Sequence, residues 1–201
     1  LLNLGLGRIA ALAPSQASMD LISAPWLERK RSASPHLRFA FDAYPRFAEQ
    51  RHDYHVRQSE VARRGMAFEI RRTGRTRSDK VETGGLMFGE IDDSHRTIWI
   101  DSVSGPPPDS EASPEKFLCG TSGTRDLADL KSKASGGSSG FIGIWHTHPV
   151  SRGRPSEDDL HAMLQLLHLQ EFPPRQVLML IIGFAATRQV FNHFLFRREE
   201  F

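Results

Sequence analysis

Apolar side chains recur at two spacings along the chain, and each change of spacing marks an element. Leu37, Phe39 and Phe41 alternate with Arg38 and Ala40, which predicts a first strand. Residues 46–75 carry both spacings: Met66, Phe68 and Ile70 alternate, whereas Ala62, Met66 and Ile70 recur at helical intervals. The length of that stretch, with no proline after Pro45, favours helix. Gly84–Ile91 and Thr97–Ser104 predict paired strands around the turn Asp92-Asp93-Ser94-His95. Gly105-Pro106-Pro107-Pro108 opens a loop, a helix follows near Arg125–Lys133, and residues 135–140 read as a flexible Gly/Ser spacer. Phe141–His148 is an apolar strand stopped by Pro149, and Leu160, Met163, Leu164, Leu166 and Leu167 mark an amphipathic helix. Val177–Phe184 and Gln189–Phe196 predict two closing strands. Strands and helices interleave, as in an α/β fold.

Composition narrows the class. The 201 residues are 39% hydrophobic and 25% charged, enough to bury a core without disulfides. The single cysteine, Cys119, excludes a disulfide framework, a multi-cysteine zinc finger, a CxxC redox pair and a zinc deaminase with its P-C-x-x-C pair. Net charge is +2, but residues 1–80 hold 15 Lys/Arg against 8 Asp/Glu and residues 81–201 hold 11 against 16. The arginines are interspersed with Glu, Asp and Gln, as on a solvated helix face, so nucleic acid is not the expected partner. No apolar run is long enough to span a bilayer. The apolar start is broken by Arg8 and has no basic segment before it, so no secretion signal is read and a cytoplasmic location is expected. Residues 1–35, with Pro14, Pro25, Pro35 and the run Glu28-Arg29-Lys30-Arg31-Ser32, read as a linker or the tail of a preceding domain. The first residue, Leu1, fits a piece of a longer chain. The folded domain is expected over residues 36–201.

The candidate chemistry lies in Trp145-His146-Thr147-His148-Pro149 and Pro155-Ser156-Glu157-Asp158-Asp159. Residues two apart on a strand share a face, so His146 and His148 present two imidazoles side by side where Pro149 ends the ladder. Trp145 then faces the other way, as core support. Asp159 falls in the first turn of the next helix. Two His and one carboxylate make a first shell for catalytic zinc that leaves a fourth position for water. Ser156 and Asp159 also have the spacing of a capping box, and the two readings are compatible. Glu82 precedes Gly84-Gly85 and an apolar strand, where a carboxylate can face a metal without ligating it. His52, His55, His161 and His168 read as surface histidines, and Cys119 as a small semi-buried residue.

These residues together resemble the JAMM metalloprotease family, the JAB/MPN domain, and in particular its prokaryotic branch. The resemblance rests on Glu82-Thr83-Gly84-Gly85-Leu86-Met87-Phe88-Gly89, on Gly143 through Pro149, on Pro155-Ser156 with Asp159, and on the Gly105-Pro-Pro-Pro stretch. It covers about residues 36–200 and departs at Ile144, where many bacterial members carry Glu. It implies an α/β/α sandwich with a mixed, curved sheet, cytidine-deaminase-like in outline. It implies that His146, His148 and Asp159 hold one Zn2+, that Glu82 is the general base, and that Ser156 donates to the oxyanion. The activity implied is that of an isopeptidase or peptidase acting after the C-terminal glycine of ubiquitin-like proteins or their conjugates. The setting implied is a bacterial pathway with a fused or co-encoded activating-like enzyme, in some cases anti-phage defence. The alternatives are a sulfur-carrier-processing hydrolase and a RadC-like or MPN scaffold without protease activity. Residues 105–139, rich in Pro, Ser and Gly, are long enough to form a flap over a substrate groove.

Overall fold

In the computed structural model, residues 53–73, 81–149, 153–168, 174–185 and 188–198 are described. The expected strand at 37–41, the tail at 1–35 and His52 lie outside them. The described residues form strands β1 (His55–Gln58), β2 (Gly84–Asp92), β3 (Thr97–Val103), β4 (Glu111–Ser113), β5 (Lys116–Leu118), β6 (Gly140–His148), β7 (Gln176–Ala185) and β8 (Arg188–Arg197). The helices are α1 (Glu60–Thr73), α2 (Thr124–Ala134) and α3 (Glu157–His168).

Six strands make one sheet in the order β1-β3-β2-β6-β7-β8, while β4 and β5 form a separate hairpin. The sheet is mixed: β1 with β3 and β6 with β7 run parallel, and the other neighbours run antiparallel. Helix α1 buries Ala62 and Met66 on one face, against Met87, Ile98, Trp145 and Leu180. Helix α3 buries Met163, Leu164 and Leu167 on the other, against Phe88, Ile144 and Met179, with Leu127 and Ala128 of α2 beside them. The expected α/β/α sandwich is present. Val177–Ile182 of β7 is buried throughout, as a strand covered on both faces must be.

Two register shifts, at Phe88/Gly89 against β3 and at Met87/Phe88 against β6, bend the sheet. The curvature brings its two edges together. Gln58 of β1 lies 3.4 Å from the His193 ring nitrogen of β8, and Arg197 donates to the Tyr54 hydroxyl just before β1.

The shift in β6 also decides which way the site faces. Met87 pairs with Gly143 and Phe88 with Phe141, so Ile142 is left over as a bulge. One extra residue flips the faces of everything after it. Ile142 and Trp145 therefore join the α1-side core, and Ile144 joins the α3 side. Gly143 takes φ 156°, and a Cβ there would collide with the Leu178 carbonyl, so this crossing requires glycine.

The helix expected across 46–75 is corrected at its start: His55–Gln58 is a strand, paired in register with Thr97–Ile100. Ser59 separates the two elements, its Oγ accepting from the Ala62 N–H at 3.0 Å to cap α1. Residues 135–140 form a hydrogen-bonded turn after α2, in which Ser135 Oγ accepts from the Ser139 N–H at 3.0 Å. No helix among the described residues is long and apolar enough to cross a membrane.

Candidate metal centre

His146 and His148 end β6, and Asp159 sits in the first turn of α3, where Ser156 precedes the helix. The Ser156 backbone N–H and hydroxyl both donate to Asp159 Oδ2, at 2.7 and 2.8 Å, and the Asp159 N–H returns a bond to Ser156 Oγ at 3.2 Å. This reciprocal cap fixes the carboxylate at the helix N-terminus. The capping and ligand readings of Ser156 and Asp159 thus hold one geometry.

The three side chains converge. His146 Nε2 lies 3.0 Å from His148 Nε2 and 3.1 Å from Asp159 Oδ1, and His148 Nε2 lies 3.3 Å from Asp159 Oδ2. They are also the described group whose donor atoms could share one ion. Zinc bonds of 2.0–2.1 Å in a tetrahedron put neighbouring donor atoms about 3.3 Å apart. Two nitrogens and a carboxylate oxygen at such separations fit a borderline-soft divalent ion.

Glu82 stands next to this cluster, its Oε1 4.0 Å from His148 Nε2. It is 5% exposed, His146 2% and His148 8%, whereas Asp159 is half-buried and Ser156 exposed, so the site is closed on the sheet side and open on the α3 side. Thr147, between the two histidines, sets the position of Glu82. Its Oγ1 accepts from the Thr83 N–H at 3.0 Å, and its own N–H donates to the Thr83 carbonyl at 2.8 Å.

Burial and neighbouring charges shape the ionisation of the site. Burial raises the Glu82 carboxyl to about 7, with His148 opposing the rise and Asp159 adding to it. Burial also works to raise Asp159, but hydrogen bonds from His146 and His148 outweigh it and hold that carboxyl well below the usual range. For His148, burial opposes the charged form, yet Asp159 and then Glu82 shift it upward overall. One carboxylate is therefore firmly ionised and its neighbour is poised near neutrality, two roles set by surroundings.

The structure brings together all five residues singled out from the sequence: Glu82, His146, His148, Ser156 and Asp159. Trp145 is fully buried on the opposite face, its indole N–H bonded to the Ser104 carbonyl at 3.0 Å. His55 lies on β1 and His161 on α3, outside the group formed by His146, His148 and Asp159. Ile144 belongs to the α3-side core.

Sequence reasoning missed the β4–β5 hairpin. The Phe117 ring lies nearly parallel to His146, with centroids 6.4 Å apart and planes 19° apart. Lys116 Nζ pairs with Asp158 Oδ2 at 3.2 Å, and the Glu82 N–H donates to the Ser113 carbonyl at 2.9 Å. The signal available was Pro114-Glu115 between two short runs, Glu111-Ala112-Ser113 and Lys116-Phe117-Leu118.

Known proteins supply an independent comparison. A CD-NTase/cGAS isopeptidase of Enterobacter hormaechei subsp. hoffmannii (strain UCI 50) is 29% identical over 102 residues, 51% of this chain and 55% of that protein. The chain thus spans about half the length of the curated relative it matches. A solution structure of a protein from Desulfitobacterium hafniense aligns with a TM-score of 0.46 at 20% identity, over 72% of this chain and 86% of that one. The family profile described as prokaryotic homologs of the JAB domain matches residues 66–194. The chain belongs to that prokaryotic JAB family.

Proposed function

We propose that this chain is a zinc-dependent isopeptidase or peptidase that cleaves after the C-terminal glycine of a ubiquitin-like protein, in a bacterial conjugation pathway. The observation that carries the reading is the convergence of His146, His148 and Asp159 at 3.0–3.3 Å, with the Glu82 carboxyl 4.0 Å from His148 Nε2. His146, His148 and Asp159 would hold the ion. A zinc ion in such a site acidifies a water molecule and polarises the carbonyl to be attacked.

The chain's own residues supply the rest. Glu82 takes a proton from the attacking water and returns it to the leaving amine nitrogen, a role open to a carboxylate that lies beside the three converging donors without being one of them. Ser156 turns its hydroxyl from Asp159 to the carbonyl oxygen as negative charge builds there. Thr147 and the buried wall behind it keep Glu82 in place and bulk water out. An extended tail with glycines at its end suits a confined site, because a glycine carries no side chain to exclude. In this reading residues 36–201 are the protease domain and residues 1–35 a linker or the tail of a preceding domain. The relative's name supports isopeptidase activity, and a ubiquitin-like conjugate of a CD-NTase/cGAS protein is the first substrate to try. The complete set of ligands and base argues against a catalytically silent scaffold.

Metal analysis paired with cleavage of a ubiquitin-like conjugate tests this reading. Wild type should bind about one zinc per chain. Glu82→Ala should keep the metal and lose turnover by roughly 10²–10⁴-fold. Loss of metal from Glu82→Ala would make Glu82 a ligand. A zinc-loaded wild type that cleaves neither conjugates nor ubiquitin-like precursors would overturn the function.

A further inference from the structure

A metal-ligating histidine works with its ring held in one orientation. His146 turns Nε2 toward His148 and Asp159. Its ring lies nearly parallel to that of Phe117, with centroids 6.4 Å apart and planes 19° apart, so Phe117 covers one side of this imidazole.

Phe117 comes from an element that is not part of the main sheet. Strands β4 and β5 pair with each other, and their base is tied by Asp109, whose carboxylate accepts from the Thr121 and Ser122 N–H groups at 3.0 and 2.9 Å. Gly120 closes the same neck, donating to Ser110 Oγ at 2.9 Å. The far end of the hairpin is held differently. Lys116 reaches across to Asp158, one residue before the ligand Asp159, and Phe117 sits over Gly84, where any side chain would displace it. The hairpin thus grips both elements that carry the three converging side chains, β6 through Phe117 and α3 through Lys116.

We propose that the β4–β5 hairpin is a clamp on the metal centre: Phe117 is a positioning residue for His146, and the Lys116–Asp158 pair holds it there. Closing the clamp slows escape of the ion, and releasing the ion pair frees the His146 ring. This inference rests on the proposal that His146, His148 and Asp159 hold a metal.

The test loads the full chain with cobalt or zinc and follows extraction by excess chelator, together with the cobalt absorption spectrum. Phe117→Ala should release metal about tenfold faster and alter the cobalt spectrum, while Phe117→Tyr should restore wild-type release and spectrum. Lys116→Ala and Asp158→Ala should each accelerate release about two- to fivefold, as suits a partly exposed pair. Their double variant should be no faster than either alone, and the exchanged pair Lys116→Asp/Asp158→Lys should restore slow release. The ion-pair variants keep the test decisive if Phe117→Ala fails to fold. Wild-type release rates in the Lys116 and Asp158 variants, or additive effects, would overturn the clamp. A wild type that binds neither zinc nor cobalt would overturn the parent reading instead.

Discussion

Ser156 and Asp159 hold each other at the start of α3: two donors of Ser156 meet Asp159 Oδ2 at 2.7 and 2.8 Å, and the Asp159 N–H returns to Ser156 Oγ at 3.2 Å. The helix cap and the aim of the carboxylate are therefore one arrangement. Losing the cap alone costs about 1 kcal/mol, or roughly 2–4 °C in Tm for a domain of this size. Losing a hydroxyl that donates to a developing oxyanion costs about 10²–10³ in turnover. Ser156→Ala should show both losses while still binding zinc, which melting curves, kinetics and metal analysis would separate. A fall in Tm with unchanged turnover would leave Ser156 with the cap alone.

The buried Glu82 carboxyl ties stability to pH in the metal-free protein. Its pKa is raised from 4.5 to about 7. Between those values the folded chain holds a proton that the unfolded chain has released, so stability falls as pH rises through this window and levels off above it. Glu82→Gln carries no ionisable group and escapes that cost. Metal-free Glu82→Gln should melt several degrees above metal-free wild type at pH 8 and close to it at pH 4. An offset that does not change with pH would mean that Glu82 ionises normally.

The parts of the site that depend on local spacing were legible in the sequence. Alternation placed His146 and His148 on one face, and a three-residue interval made Ser156 and Asp159 a capping pair. What the sequence hid depends on distant partners. His55–Gln58 contains one apolar residue, Val56, and is a strand because β3 lies alongside it. The hairpin strands are three residues each, too short to show any period, and their place over His146 follows from contacts with Gly84 and Asp158. The face on which the histidines lie follows from the bulge at Ile142, which a simple alternation from Phe141 would not give.

Cys119 packs beside the α3-side core, where burial, with a smaller contribution from Asp109, pushes its thiol up to about 12. The reactive species is the thiolate, so the folded chain should be inert to alkylation at neutral pH. Iodoacetamide at pH 8 should label native protein on the order of a thousandfold more slowly than protein in denaturant. Mass spectrometry of timed samples would measure this. Equal rates would place the thiol in open solvent.

Gly84 is where the strand, the hairpin and the candidate metal centre meet. It pairs with His146 across β2 and β6. A Cβ there would lie 2.8 Å from His146 Cβ and closer still to the Trp145 carbonyl oxygen. Phe117 fills the space above it, so Ala at this position pushes on the hairpin and on the strand that carries His146 and His148 together. Overpacking of this kind costs about 1–3 kcal/mol. Gly84→Ala should therefore lower Tm, weaken zinc binding and accelerate metal release. Gly123, with φ 71° and open space around it, is the control: Gly123→Ala strains a left-handed turn and should lower Tm while leaving metal release unchanged. If both variants release zinc alike, lost stability accounts for the effect of Gly84→Ala. If Gly84→Ala alone releases it faster, contact with His146 and Phe117 accounts for it.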